Sequence, residues 1–176
     1  MKKLLLSSIA ILLITIAPAI SKAQAVQESY WDKLKRVQQM VGKPAPAFNA
    51  TNASGKKISL ENLKGKVIVV NFWFVGCAPC EEEMPHLNKL TQDHKGNSDV
   101  VFLGFSRSDK ITTETFLKKT KFNYQSIPDS KLVAQAYNVS GYPSHFVIDR
   151  TGIIRFASIA SQDNIDGVLN QQIQQL

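Results

Sequence analysis

The chain has 176 residues, 44% of them apolar, with 21 Lys and Arg against 14 Asp and Glu, a formal charge of +7. Residues 1–25 carry Lys2, Lys3 and Lys22 and no acid, so the remainder holds 18 basic and 14 acidic side chains, a charge of +4. The basic residues are scattered, Lys118, Lys119 and Lys121 being the tightest group, and a mildly basic chain without a basic stripe is not built to bind nucleic acid.

At the N-terminus, Lys2 and Lys3 precede an apolar run from Leu4 to Ile20 that ends at the small-residue pattern Ala23-Gln24-Ala25. This is the arrangement of a cleavable secretory leader over residues 1–25. As an uncleaved anchor the run falls short of the roughly 20 residues that span a bilayer, and Ser7, Ser8, Thr15 and Pro18 weaken it further. Neither cysteine lies near its end to carry a lipid. The expectation is a soluble protein in the periplasm or another extracytoplasmic compartment, touching a membrane only if the leader is retained. The remaining chain, about 150 residues, suffices for one domain burying roughly 70% of its unfolded surface, so folding requires no covalent staple.

Over 26–42, Tyr30, Leu34, Val37 and Val41 recur at helical spacing and predict an amphipathic helix packed on the domain. Gly42-Lys43-Pro44-Ala45-Pro46 breaks it, and the domain proper is expected at 43–176. Phe48 to Leu60 holds short alternating segments around the turn Asn52 to Gly55 and predicts a β-hairpin. Two apolar runs, Val67 to Val75 and Val100 to Phe105, predict strands buried on both faces. Between them a helix is expected from Cys77 to Asp93, with acids in its first turn and His94 and Lys95 at its end. Helical patterns at Thr112 to Lys119 and Lys131 to Tyr137 lead to a strand from His145 to Asp149. A turn at Arg150-Thr151-Gly152 and a strand from Ile153 to Ile159 form an antiparallel hairpin, and Asp163 is expected to cap a last helix to Leu176. Strands alternating with helices, then a closing hairpin and helix, describe an α/β domain with a mixed central sheet covered on both faces.

The two cysteines, Cys77 and Cys80, lie in NFWFVGCAPCEEEMP. As a staple, a bridge closing four residues gives roughly 2 kcal/mol at best, less than the roughly 3 kcal/mol of a fifteen-residue loop. As a structural zinc site they lack partners, because His86 and His94 match no finger spacing. Copper is the better metal rival, with His145 as a distant third ligand. As a redox pair they explain more. A strand delivers Cys77 to a helix N-terminus, where unpaired N–H groups and the dipole favour the thiolate. Cys80, one turn on, is placed to attack a mixed disulfide formed at Cys77, and Pro79 restricts the backbone between them.

NFWFVGCAPCEEEMP and VSGYPSHFVID resemble the active-site segment and Gly-x-Pro loop of the TlpA/ResA-like thiol-disulfide oxidoreductases. GKPAPAF, SLENLKGK and YNVSGYP extend the resemblance over Gly42 to Leu176. It implies a thioredoxin-like fold with an N-terminal hairpin extension, an extracytoplasmic address and exchange of protein disulfides. It also implies a cis Pro143 against the Cys77 sulfur, with the backbone of Tyr142 turned toward an extended substrate. Glu83, three residues past Cys80, matches the acid of the family motif, while Asn71 stands where thioredoxins carry a buried Asp. Glu83 is therefore expected to be partly buried, with a raised pKa, and to take the proton from Cys80; Glu81 and Glu82 are read as a solvated first turn. Gly76 replaces the tryptophan that many thioredoxins place before the first cysteine, which opens access to the sulfur. Of Phe72 and Trp73, Trp73 is the better candidate to line the site, and His145 reads as a strand residue.

The expected activity is reduction of protein disulfides by an exported enzyme, with Cys77 attacking, Cys80 resolving, Glu83 assisting and Pro143 shaping the groove beside Trp73, Gly76 and Tyr142. The expected partners are disulfide-bearing proteins and a membrane thiol reductant that recharges the pair, since the periplasm is kept oxidising; no cofactor, metal or nucleic acid is implied. Apocytochrome c, a misbridged envelope protein and another redox enzyme remain open as substrates. Two other readings stay open. A thiol peroxidase shares the fold but wants Thr and Arg donors near its cysteine, where Val75 and Gly76 stand; a copper chaperone usually spaces its cysteines by three residues.

Overall fold

The computed structural model describes residues 28–176, so the leader expected at 1–25 lies outside them. Helix α1 (Tyr30–Gln38) is followed by strands β1 (Asn49–Thr51), β2 (Lys57–Ser59) and β3 (Val67–Trp73), helix α2 (Ala78–Asp93) and strand β4 (Val100–Ser106). Helix α3 (Lys110–Leu117), strand β5 (Gln125–Ile127), helix α4 (Lys131–Ala136), strands β6 (Ser144–Ile148) and β7 (Ile154–Ile159) and helix α5 (Ile165–Gln174) complete the chain. Among the described residues no helix is long and apolar enough to cross a membrane.

The five-stranded sheet runs β5-β4-β3-β6-β7. The β3–β4 and β4–β5 pairs are parallel, the β3–β6 and β6–β7 pairs antiparallel. All seven residues of β3 are buried, as its unbroken apolar run predicts for a central strand covered on both faces. Because side chains alternate, Val67 and Val69 meet Leu87 and Leu90 of α2 and Ile165, Leu169 and Ile173 of α5. Ile68, Val70 and Phe72 point the other way, into a core with Val37 of α1, Phe48, Phe105, Tyr137 and Phe146. Asn71 therefore faces α2 from within an apolar strand.

The β1–β2 hairpin stands outside the main sheet. Its turn is closed by Asn52 Oδ1, which accepts from Ser54 N at 3.1 Å and Lys56 N at 2.8 Å, and Ala53 N–H donates to Ser126 O at 2.8 Å. The hairpin thus engages β5, the strand that closes one edge of the sheet. Strand β5 was not anticipated: it is three residues long, ends at Pro128, and takes its place by parallel pairing of Leu103 to Phe105 with Gln125 to Ile127.

Strand β3 ends at Trp73, two residues short of the apolar run, and three other boundaries differ from expectation, each for a local reason. Helix α1 ends at Gln38 and the chain tightens toward Gly42 at φ +83°, so Met40 enters the core while Val41 is left 42% exposed. Helix α3 begins two residues early because Asp109 caps it, its Oδ1 accepting from Thr112 N at 2.8 Å. Asp163 does not cap α5; Asn164 occupies that position without a side-chain cap bond.

The β6–β7 turn is organised by Asp149. Its Oδ1 accepts from Thr151 N at 2.8 Å, Thr151 Oγ1 at 2.7 Å and Ile153 N at 2.9 Å, and its Oδ2 accepts from Arg155 Nε at 2.6 Å. Burial pushes this carboxyl up, but the hydrogen bonds from Thr151, Ile153 and Arg155 outweigh it and hold the pKa at about 2. A pKa depressed in the folded state contributes stability above the unfolded value and loses it as pH falls through the folded one. The shift corresponds to about 2 kcal/mol at neutral pH. Asp149→Ala is expected to lose about that amount at pH 7, and its urea-unfolding midpoint should approach the wild-type value as pH falls from about 4 toward 2. An unchanging gap over that window would show that the charge of Asp149 contributes nothing.

Candidate active site

Strand β3 hands the chain to α2 through Phe74, Val75 and Gly76. Gly76 adopts φ +88°, a left-handed conformation with no heavy atom within 4 Å of an added Cβ, so backbone conformation and not crowding calls for glycine here. Cys77 follows as the N-cap of α2 at φ −87° and ψ 93°; its carbonyl accepts the first helical bond, from Glu81 N at 3.0 Å. Pro79 sits in the first turn, where a missing N–H costs the helix nothing. Glu81 is not simply solvated, because its Oε1 accepts from Gly76 N at 2.9 Å and ties the helix start to the preceding turn.

A second loop buttresses the first. Arg107 N donates to Trp73 O at 2.9 Å and Val75 N donates to Ser108 Oγ at 3.1 Å. Ser106 Oγ, which accepts from Ser108 N at 3.2 Å, also bonds Thr113 Oγ1 of α3 at 3.0 Å. The position of the cysteines is therefore set by the end of β4 as well as by β3.

Cys77 and Cys80 form a disulfide with their Cα atoms 5.3 Å apart. Cys77 retains 4% of its surface and Cys80 1%, so the sulfurs lie low, with Gly76, Ala78 and Pro79 exposed beside them. They pack with Met84 and Trp73. The expectation that Trp73 lines a substrate site is corrected: it is 0% exposed. Trp73 ends β3 on the α2 side and is covered by Phe116 and Phe122, each with its ring centroid 5.5 Å away. It supports the disulfide from within and offers no surface to a partner.

Tyr142 packs against the cysteine cluster and precedes Pro143 through a cis peptide bond, the geometry that the resemblance implies. The accessible aromatic surface comes from Tyr142 and Phe74, edge to face at 5.3 Å, with the Arg107 guanidinium 4.6 Å from the Phe74 centroid and 5.3 Å from that of Tyr142. Burial pushes the Tyr142 phenol up and Arg107 partly opposes it. Phe74 and Arg107 escaped the sequence reading. Arg107 arrives from a different strand end and had no motif to mark it.

Beneath the disulfide, Glu83 is 2% exposed, more deeply buried than expected. Asn71 Nδ2 donates to its Oε1 at 3.0 Å, and His145 Nε2 lies 3.2 Å from its Oε2. Asn71 and His145 are cross-strand partners on β3 and β6; His145, read as a plain strand residue and as a copper candidate, is committed to Glu83. Asn71 within VIVVNFW and His145 within SHFVI, polar residues in otherwise largely apolar strands, were the available signal. Tyr124 is held well above its ordinary range by burial, reinforced by the Glu83 charge. Among the described residues no three His, Cys, Asp or Glu side chains converge as a metal site.

This site can exchange a disulfide: an N-capping sulfur, a second sulfur one turn on, and a buried carboxylate three residues beyond it. The sequence profile described as the AhpC/TSA family matches residues 41–157. Over 137 residues the chain is 31% identical to thiol-disulfide oxidoreductase ResA of Bacillus cereus, covering 76% of this chain and 79% of that protein. It is 32% identical over 123 residues to thioredoxin-like protein YneN of Bacillus subtilis, covering 69% and 72% respectively. Among solved structures, a thiol-disulfide oxidoreductase from Bacteroides fragilis aligns with a TM-score of 0.65 at 28% identity, covering 74% of this chain and 99% of that one.

Removing the carboxylate would strand its two buried donors. Glu83→Ala is expected to lose about 2 to 6 kcal/mol, since each of the two unsatisfied buried groups costs about 1 to 3 kcal/mol. Glu83→Gln, which keeps an acceptor oxygen, should lose less than half as much. Urea unfolding at pH 7 checks the order; an alanine variant as stable as wild type would show that these contacts carry no energy.

Proposed function

The chain belongs to the AhpC/TSA family, among its ResA-like thiol-disulfide oxidoreductases with a thioredoxin-like fold, and from this we propose that it reduces protein disulfides outside the cytoplasm. The observation that carries the reading is the Cys77–Cys80 disulfide at the N-terminus of the sixteen-residue helix α2, above the buried Glu83.

In the reduced protein the helix end favours the Cys77 thiolate. That thiolate attacks one sulfur of the partner's disulfide; a Cys77–partner bond forms, and the other partner sulfur leaves as a thiolate and takes up a proton. Glu83 accepts the proton of Cys80, whose thiolate attacks Cys77 Sγ. The intramolecular disulfide forms and the partner departs as a dithiol, two electrons richer. A membrane thiol reductant restores the pair, because no soluble reductant pool serves an oxidising periplasm. The leader pattern of residues 1–25 supports export. In this reading 43–176 is the catalytic domain and 26–42 a lead into it, whose described part packs on the domain through Val37 and Met40.

A reductant is favoured over an oxidant by the charge beneath the sulfurs. Strong oxidants stabilise their dithiol form, whereas an ionised Glu83 opposes a thiolate above it. Partner contact falls to the exposed Gly76 and to Tyr142, with Phe74 and Arg107 beside it. A thiol peroxidase is less well served: Val75 and Gly76 hold the places of a hydroxyl donor, and Arg107 is engaged with two aromatic rings.

Equilibration of the couple against glutathione is expected to give a potential near the thioredoxin value of about −270 mV, and one near about −120 mV would reverse the direction. In a separate test, Cys80→Ser is expected to trap a disulfide-bearing protein as a stable mixed disulfide through Cys77, and Cys77→Ser to trap none. Trapping by the Cys77→Ser variant alone would exchange the two roles.

A further inference from the structure

Among the described residues five buried side-chain atoms lack a hydrogen-bond partner: Trp73 Nε1, Tyr124 Oη, Ser126 Oγ, His145 Nδ1 and Ser158 Oγ. Three of the five stand in one line. The register sets Ser126, Gly104, Asn71, His145 and Ser158 side by side across β5, β4, β3, β6 and β7. Residues aligned in this way share a face of the sheet, here the face against α2, where Asn71 and His145 reach Glu83. The next layer on the same face is apolar, formed by Phe102, Val69 and Val147.

We propose that His145 is a positioning residue for the resolving step, holding the buried Glu83 as an ionised base directed at Cys80. The proposal rests on the reading that Cys80 resolves the mixed disulfide. A carboxyl group buried this deeply takes a proton when nothing opposes its desolvation, and a protonated Glu83 cannot accept one from Cys80. Asn71 supplies a hydrogen bond without charge. His145 supplies both, and no Lys or Arg pairs with Glu83 among the described residues.

Around this pair, α2 contributes Cys80, one turn before Glu83, and the segment ahead of β5 contributes Tyr124. Helix α5 contributes Asp166, which is engaged by His86 and Lys89. Strand β3 offers only Asn71, and β7 only the hydroxyl of Ser158. That hydroxyl lies on the cross-strand partner of His145 and has no partner of its own. His145 Nδ1 likewise has no partner, so among the described residues the one side-chain bond of the ring is to Glu83, at 3.2 Å.

The resolving step balances with His145 unchanged. Cys80 Sγ–H gives its proton to Glu83; its thiolate attacks Cys77 Sγ; the bond from Cys77 to the partner breaks as the Cys77–Cys80 bond forms. The partner sulfur leaves as a thiolate and ends as the thiol, taking the proton that Glu83 gave up to solvent or to it directly. The imidazolium offsets the negative charge that moves between Glu83 and the sulfurs.

The test uses the reduced full-length protein and the chromogenic aromatic disulfide DTNB in single turnover. The first chromophore released reports attack by Cys77, and the second reports resolution by Cys80. His145→Gln keeps a donor for Glu83 but carries no charge, so the carboxylate loses its charged partner. The second release is expected to slow about tenfold at neutral pH with its midpoint raised by about one unit, one pKa unit being a tenfold change in the ionised population. The first release should stay within about twofold, because His145 acts through Glu83 and not on Cys77. The Glu83→Gln/His145→Gln double variant should be no slower than Glu83→Gln alone.

A second release in His145→Gln that superimposes on wild type across the pH range would overturn the proposal, as would an additive loss in the double variant. If His145→Gln does not fold, histidine 15N spectra of the reduced wild-type protein decide. The His145 ring is expected to carry both of its protons over the pH range in which the second release proceeds, and a ring that is neutral there would overturn the proposal. A wild-type protein that releases only one chromophore would instead bring down the resolving role of Cys80 itself, a failure visible before any His145 variant is made.

Discussion

Everything in this molecule that bears on chemistry depends on where β3 stops. A central strand buried on both faces cannot shift by one residue without sending every side chain to the wrong face, so Trp73 is fixed, and with it the short passage to the N-cap of α2. Cys77 takes that N-cap position, where the first N–H groups of the helix have no helical acceptor. The field there costs no reorganisation when a thiolate forms, because the dipoles are already in place. The end of β4 reinforces the constraint, through Arg107 N on Trp73 O and Ser108 Oγ on Val75 N.

The same strand sets the opposing influence. Alternation sends Asn71 to the face that α2 covers, and α2 brings Glu83 down onto it at 3.0 Å. One helix thus presents a positive end to Cys77 and a buried carboxylate below Cys80. The two cysteines thus stand in different surroundings: Cys77 caps the helix, and Cys80 lies one turn on, three residues before the buried Glu83. A pair treated alike by its surroundings would have no reason to react in a fixed order.

The sequence made the main architecture readable because the informative stretches were strongly patterned. VIVVNFW could be nothing but a buried strand, and Cys77-Ala-Pro-Cys80 with three acids after it marked a helix start. The hairpin at Phe48 to Leu60 and the closing β6–β7 hairpin were legible from alternation and turn residues. What escaped was set by contacts distant in sequence. Strand β5 is a strand only because β4 lies beside it and the β1–β2 turn bonds Ser126. Trp73 looked like a site residue, since a large aromatic four positions before a reactive cysteine can point either way; Phe116 and Phe122, more than forty residues on, decide that it points inward. His145 was visible as a polar interruption and as a copper candidate, and its pairing with Glu83 needed the antiparallel register of β3 with β6.

That register also exposes a conflict between stability and use. Each buried polar group without a partner costs about 1 to 3 kcal/mol, and a whole domain is stable by only about 5 to 15 kcal/mol. Ser126, His145 and Ser158 lie in one line at the level of Glu83, where valine or isoleucine would pack the sheet against α2 as the neighbouring layer does. A carboxylate that must gain and lose a proton inside a protein cannot be surrounded by hydrocarbon, because its charged state would then be unreachable. The polar line keeps hydrogen-bonding groups at the level of Glu83, with Asn71 and His145 bonded to it directly. The opposite face of the sheet, carrying Phe72, Phe105, Tyr137 and Phe146, is an apolar cluster.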